Sequence, residues 1–212
     1  MRRLPVYLLL DTSGSMSGEP IEAVKNGMQV LITTLRQDPY ALETAFLSVI
    51  TFDSTARQIV PLTELSAFQM PDINATGVTS LGEALALLAQ KVDTEVYKST
   101  AERKGDWKPI IFIMTDGMPT DDWQAGLQKF KQRNYGIVVA CAAGHNADTN
   151  ILKQVTENVV QLDTTDSSVI KAYFKWVSAS ISSGSQKVES SGKEVKGLDE
   201  LPPPPAEVNI VV

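Results

Sequence analysis

The run Asp11-Thr12-Ser13-Gly14-Ser15 sets three oxygen-bearing side chains, Asp11, Ser13 and Ser15, at alternate positions. It follows directly on the apolar stretch Val6-Tyr7-Leu8-Leu9-Leu10, so a buried strand ends where the oxygens begin. Hard divalent cations bind oxygen donors grouped in this way. Two more donors for the same ion lie far downstream: Thr79, in Ala75-Thr76-Gly77-Val78-Thr79-Ser80-Leu81, and Asp116, after the apolar run Ile110-Ile111-Phe112-Ile113-Met114-Thr115. Mg²⁺ takes about six oxygens in octahedral geometry and tends to keep water, which suits a set of three hydroxyls and two carboxylates. The sequence leaves Mn²⁺ and Ca²⁺ open. With Ser13, Ser15 and Thr79 bound directly and Asp11 and Asp116 acting largely through water, the ion keeps much of its charge. It also keeps one open position, ready for a carboxylate from another molecule. Gly14, Gly77 and Gly117 give the loops freedom to wrap an ion closely.

Plainer roles compete at several of these positions. Asp and Ser dominate turns for local hydrogen-bonding reasons, so Asp11 could simply order the loop after its strand. Thr76 and Ser80 flank Thr79, and Ser80 is suited to capping the helix that follows. Asp121 and Asp122 read as the cap of a helix beginning at Trp123. Met16 and Met118 border the metal loops and are expected to be buried, and Trp176, beside Phe174 and Val177, is expected to pack. His145 is the lone histidine, and no serine or cysteine stands at a spacing that would make a triad with it.

Positioning these loops falls to alternating apolar runs and amphipathic stretches. The pattern predicts an α/β fold: a doubly wound, mostly parallel, Rossmann-like sheet with one antiparallel edge strand and helices on both faces. Tyr7 to Leu10 is the first strand. Gly18-Glu19-Pro20 opens a helix with proline at its first helical position, and Ile21, Val24, Met28, Leu31 and Leu35 then recur every three or four residues. Phe46 to Phe52 and Arg57 to Leu62 are strands joined by only four residues, too few for a parallel crossover, and predict a hairpin at one edge. Leu81, Leu85, Leu88 and Val92 mark a second helix, and Lys98 to Lys108 reads as a surface loop. Strands follow at 110–114, 137–142 and 159–162, with helices at 123–133, 151–158 and 168–181. Loops after parallel strands gather at the carboxyl edge of the sheet, where open α/β folds bind ligands, and all three oxygen-rich segments fall there.

A single domain over residues 1–182 accommodates these elements, and at this chain length folding buries roughly 70% of the extended chain's surface. Residues 183–212 shift to Ser, Gly, Lys and Glu, then Pro202-Pro203-Pro204-Pro205, and read as a flexible tail whose apolar end could add as a strand to a partner's sheet. A formal charge of -6 argues against a nucleic-acid surface. No segment reaches the eighteen or so apolar residues of a spanning helix, and the N-terminal apolar run is too short for a signal-peptide core. Cys141, the one cysteine, sits in an apolar run and reads as a buried core residue in a reducing compartment, which makes the expected location cytoplasmic.

The order of motifs resembles the von Willebrand factor A fold with its metal-ion-dependent adhesion site, over roughly Leu4 to Ile181. Asp11, Ser13 and Ser15 match that family's Asp-x-Ser-x-Ser, Thr79 its threonine and Asp116 its later aspartate, so no ligand is missing. The resemblance implies a bound metal completed by an acidic side chain of a partner protein, in an intracellular scaffold or an adhesion module. The short chain, starting almost at its first strand and ending in a proline-rich tail, is similar to the stand-alone bacterial members associated with tellurite resistance. That narrower likeness implies a phosphatase and a kinase of a chemical-stress system as partners.

The leading expectation is therefore a non-enzymatic, metal-dependent protein-binding module; the oligomeric state stays open. A metal-dependent phosphohydrolase using Asp11 is the alternative. It fits poorly, since position 13 is serine rather than a second carboxylate and no lysine follows Asp116 closely. Nucleotide binding fits worse, because Gly14 and Gly18 do not form a phosphate loop.

Overall fold

A computed structural model describes residues 2–211; Met1 and Val212, the outer ends of the two segments expected from sequence, lie outside the described residues. Seven strands form one sheet: β1 (Leu4–Asp11), β2 (Ala45–Phe52), β3 (Ala56–Glu64), β4 (Ile110–Thr115), β5 (Ile137–Ala143), β6 (Val159–Leu162) and β7 (Asn209–Ile210). Their order across the sheet is β3-β2-β1-β4-β5-β6-β7. The five central strands are parallel, while β3 and β7 run antiparallel to their neighbours. Six α-helices cover the sheet: α1 (Glu19–Arg36), α2 (Pro39–Thr44), α3 (Leu81–Glu95), α4 (Trp123–Lys131), α5 (Thr149–Val155) and α6 (Ser167–Ser191).

Strand alternation divides the interior into two cores. Val6, Leu8 and Leu10 of β1 and Phe112 and Met114 of β4 meet Met28 and Leu31 of α1 and Phe174 of α6 on one face. Tyr7, Leu9, Ile111 and Ile113 meet Leu81, Leu85 and Leu88 of α3 and Phe130 of α4 on the other. Both faces of β1 and β4 are buried, which is why their sequences are nearly continuous apolar runs. Each fully buried aliphatic side chain contributes about 1.5–3 kcal/mol, so the ends of these two strands are the most firmly held places on which to build a site.

The expectation of one antiparallel edge strand is corrected to two, and the second comes from the segment expected to be a flexible tail. α6 continues past Ile181 to Ser191 and stops at Gly192, whose φ of +64° allows the left-handed turn. The chain then returns along the domain with Val195, Leu201 and Val208 buried, the Trp176 indole N–H donating to the Pro202 carbonyl at 2.8 Å, and Lys187 paired with Glu200. β7 pairs with β6, Gln161 opposite Asn209, and the Val211 N–H donates to the Val159 carbonyl. Average composition suggested solvation here, but three apolar residues spaced six or seven apart suffice to dock the strand.

Candidate metal centre

The strand order reverses between β1 and β4, and Leu10 lies opposite Met114 there. That register sets Asp11, the last residue of β1, beside Thr115 and Asp116 at the end of β4. Ser13 and Ser15 follow in the loop leading to α1, and Thr79 stands two residues before α3.

Four of the five sequence-predicted residues form one hydrogen-bonded chain. The Asp11 Oδ1 accepts the Ser13 backbone N–H at 2.8 Å, the Ser13 and Ser15 hydroxyls lie 3.0 Å apart, and the Ser15 hydroxyl donates to Asp116 Oδ1 at 2.8 Å. Thr79 makes no direct hydrogen bond to them but is brought to the same place: a Cβ added to Gly117 would lie 3.3 Å from its Oγ1. Asp11, Ser13, Thr79 and Asp116 are buried, whereas Ser15 is exposed. The group therefore has a closed floor and an open mouth. Val78 (50% exposed) and Met118 (58% exposed) stand on the loops at that mouth. Met16 packs in the core as expected; the expectation of burial fails for Met118, which lies in the irregular segment between β4 and α4 and is exposed.

The loops are tied to one another. The Gly14 N–H donates to the Gly77 carbonyl and the Thr76 N–H to the Thr12 carbonyl, at 3.0 and 2.8 Å. Gly77 adopts φ +72°, and a Cβ there would collide with the Ser54 hydroxyl, so the turn that presents Thr79 requires glycine.

Two residues that sequence reasoning passed over, Thr115 and Thr120, and one that it assigned elsewhere, Asp121, hold the arrangement. The Thr115 hydroxyl donates to Asp11 Oδ2 at 2.5 Å. Thr120 clamps the Thr79 backbone, its Oγ1 accepting the Thr79 N–H while its own N–H donates to the Thr79 carbonyl. Asp121 accepts the Gly82 and Glu83 N–H groups at 3.1 and 2.8 Å, capping α3 from the β4–α4 loop. The expectation that Asp121 caps the helix at Trp123 is thus corrected; Asp122 alone does that, and Ser80, at the start of α3, makes no side-chain cap bond. These partners are invisible in sequence because each pairs across more than thirty-five residues, through the β1–β4 or α3–α4 neighbourhood.

Electrostatically the site is acidic. Burial raises the pKa of Asp11 despite hydrogen bonds from Ser13 and Thr115 that lower it. Burial also raises that of Asp116, the Ser15 hydrogen bond opposing and the Asp11 charge reinforcing it. Among the described residues neither carboxylate is paired with a lysine or arginine. Two converging carboxylates and three hydroxyls without a counter-charge are a donor set that fits a hard divalent ion. Both Asp11 oxygens already accept protein hydrogen bonds, which suits contact with an ion through water. Among the described residues no cluster of three or more His, Cys, Asp or Glu side chains is arranged to hold a metal; hydroxyls make up the larger share of this set.

Residues 6–171 match the family model of the von Willebrand factor type A domain. An uncharacterized protein of Synechocystis sp. is 35% identical over 123 residues, which is 55% of this chain and 26% of that protein. A von Willebrand factor type A structure from Catenulispora acidiphila superposes with a TM-score of 0.65 at 19% identity, over 86% of this chain and 43% of the other. The pilus adhesin SpaC of Lactobacillus rhamnosus GG gives 0.66 at 14% identity, over 86% and 30%. Proximal thread matrix protein 1 of mussel byssus, with a zinc-occupied MIDAS motif, gives 0.56 at 16% identity, over 84% and 46%. The chain spans about a quarter of the curated relative's length and less than half of each of these solved chains.

Proposed function

The chain belongs to the von Willebrand factor type A family, and we propose that it works as a metal-dependent protein-binding module. In this reading Asp11, Ser13, Ser15, Thr79 and Asp116 hold a divalent ion, Mg²⁺ by the hardness of its oxygen donors, and a partner protein completes the coordination with an acidic side chain. The observation that carries it is the uncompensated pair of buried carboxylates linked through Ser13 and Ser15.

The bound ion supplies a positive centre for the incoming carboxylate. Everything else is done by the chain. Thr115 and the Ser13 N–H occupy the Asp11 oxygens and hold them still. Ser13, Ser15 and Thr79 would neutralise none of the ion's charge, which would leave it a strong pull on an anionic partner. Exposed Val78 and Met118 offer apolar contact around the mouth. Likeness to the tellurite-resistance type supports a scaffold role in chemical-stress signalling, with a phosphatase and a kinase as the proteins that donate the acid.

A phosphohydrolase finds less support. Both Asp11 oxygens are engaged by hydrogen-bond donors, which blunts a nucleophile, and among the described residues no basic side chain pairs with Asp11 or Asp116 to steady a phosphate. The test is affinity capture of partners from cell extract in Mg²⁺ and in EDTA. Asp11→Ala, Ser13→Ala and Asp116→Ala should each lose the Mg²⁺-dependent fraction while keeping a wild-type circular-dichroism spectrum. Undiminished capture in EDTA, or by all three variants, would sink the reading, and turnover of an aromatic phosphate ester lost in Asp11→Asn would favour the enzyme.

A further inference from the structure

Beside the Asp11–Ser15 loop a cleft of about 230 Å³ opens between the end of β2, the start of β3 and the segment 72–76. Thr12, Thr51 and Asp53, all buried, belong to its lining. Among the described residues the Thr12 hydroxyl has no hydrogen-bond partner although it is buried. A buried hydroxyl left unpaired is costly and calls for a partner from outside the chain.

The lining carries two carboxylates, Asp53 and Asp72, against one guanidinium, that of Arg57. Asp53 Oδ1 accepts the Thr55 N–H and Oδ2 the Arg57 guanidinium, at 3.1 and 2.5 Å. Two carboxylate oxygens offer about four acceptor directions, so capacity remains. Arg57 itself is 59% exposed and pairs with Asp53, an example within the chain of the contact a basic side chain would make there. Ile59 and Ile73 add apolar surface that suits a methylene stem. An acidic, hydroxyl-bearing cleft with apolar sides fits the side chain of lysine or arginine. A second metal fits less well, since one ligating carboxylate is already paired with a cation.

We propose that this cleft receives a basic side chain from the same partner whose carboxylate meets the metal, so that the docking motif carries one acidic and one basic residue. The inference rests on the metal-dependent reading for the acid, while the cleft itself is independent of the ion. Thr12 lines the cleft and lies between Asp11 and Ser13 in the chain, so the two subsites adjoin at this loop.

N-acetylarginine amide, which has no carboxylate, and N-acetylglycine, which has no cation, separate the two subsites when titrated into the ¹⁵N-labelled full chain. The arginine probe should give saturable shifts at the Thr12, Thr51, Asp53 and Ile73 amides in EDTA and in Mg²⁺ alike. Asp53→Asn should weaken it about fivefold or more, and Asp72→Asn, an exposed position safe for folding, should also weaken it. No saturable shift at those amides, or equal binding in both variants, overturns the cleft. Acetylglycine should bind only in Mg²⁺; its failure alone removes the metal reading and leaves the cleft standing. A peptide carrying Asp and Arg should bind in Mg²⁺ about tenfold more tightly than its Arg→Gly counterpart, and equal affinity for every spacing from one to four residues overturns the shared partner.

Discussion

Asp11 and Asp116 are two acids kept close together with hydroxyls and amides for company, and their ionisation couples the metal to pH. Burial places both folded-state pKa values above the unfolded value of about 4. A carboxylate raised in this way opposes folding once charged. The metal-free protein therefore loses stability as pH rises from about 4 through the raised values, and regains it as pH falls. Binding a divalent ion requires the ionised forms, so affinity moves the opposite way. Calorimetric titration with Mg²⁺ should give weaker binding at about pH 5 than at about pH 7.5, with proton release on binding at the lower pH. Equal affinity without proton release would mean that these acids do not face the ion. That Asp11, Ser13, Ser15 and Asp116 come together was legible in the sequence because the Asp11–Ser15 run and Asp116 each follow an apolar strand. Thr115 and Thr120 were not, since a hydroxyl gains its meaning only from the strand or loop that lies next to it.

The helices α3 and α4 meet on two glycines. A Cβ on Gly126 would collide with the Gly82 carbonyl, and one on Gly82 would lie 2.5 Å from the Trp123 Cα. This close crossing lets Asp121 reach the first turn of α3 and so holds the Thr79 loop against the Asp116 loop. Gly126→Ala should gain about 1 kcal/mol in helix propensity and lose about 1–3 kcal/mol by overpacking backbone against backbone. Since backbone cannot step aside as a side chain can, the loss should win. The urea midpoint should fall with an unchanged slope; a higher midpoint would show that the helices separate freely. Most elements were readable from periodicity, including the hairpin, whose connection, expected as four residues and found as three, forbade a crossover. α2 was passed over although Asp38-Pro39 carries its start signal, with the Asp38 side chain accepting the Ala41 N–H at 3.0 Å. At six residues it is too short to display a period.

At the scale of the molecule, the sheet is closed on each side by an antiparallel strand. β3 bears Pro61 and charged Arg57 and Glu64 along an outer edge, which discourages pairing with other chains. β7 covers β6 on the opposite side. Deleting residues 193–212 should strip that cover and speed amide exchange in β6 by about tenfold or more, while β1 and β4 stay protected. Unchanged exchange in β6 would mean that β7 contributes no protection. This strap escaped the sequence reading because its anchors, Val195, Leu201 and Val208, are too sparse for any periodic signal. It also fixes where the polypeptide emerges. Val211 bonds to Val159, the first residue of β6, and Arg2 bonds to Gly105 just ahead of the start of β1. Both described ends thus leave from the amino side of the parallel strands, opposite the oxygen-lined mouth. A bead, a surface or a fused neighbour attached through either end would hold the molecule by its back, with its grip facing outward.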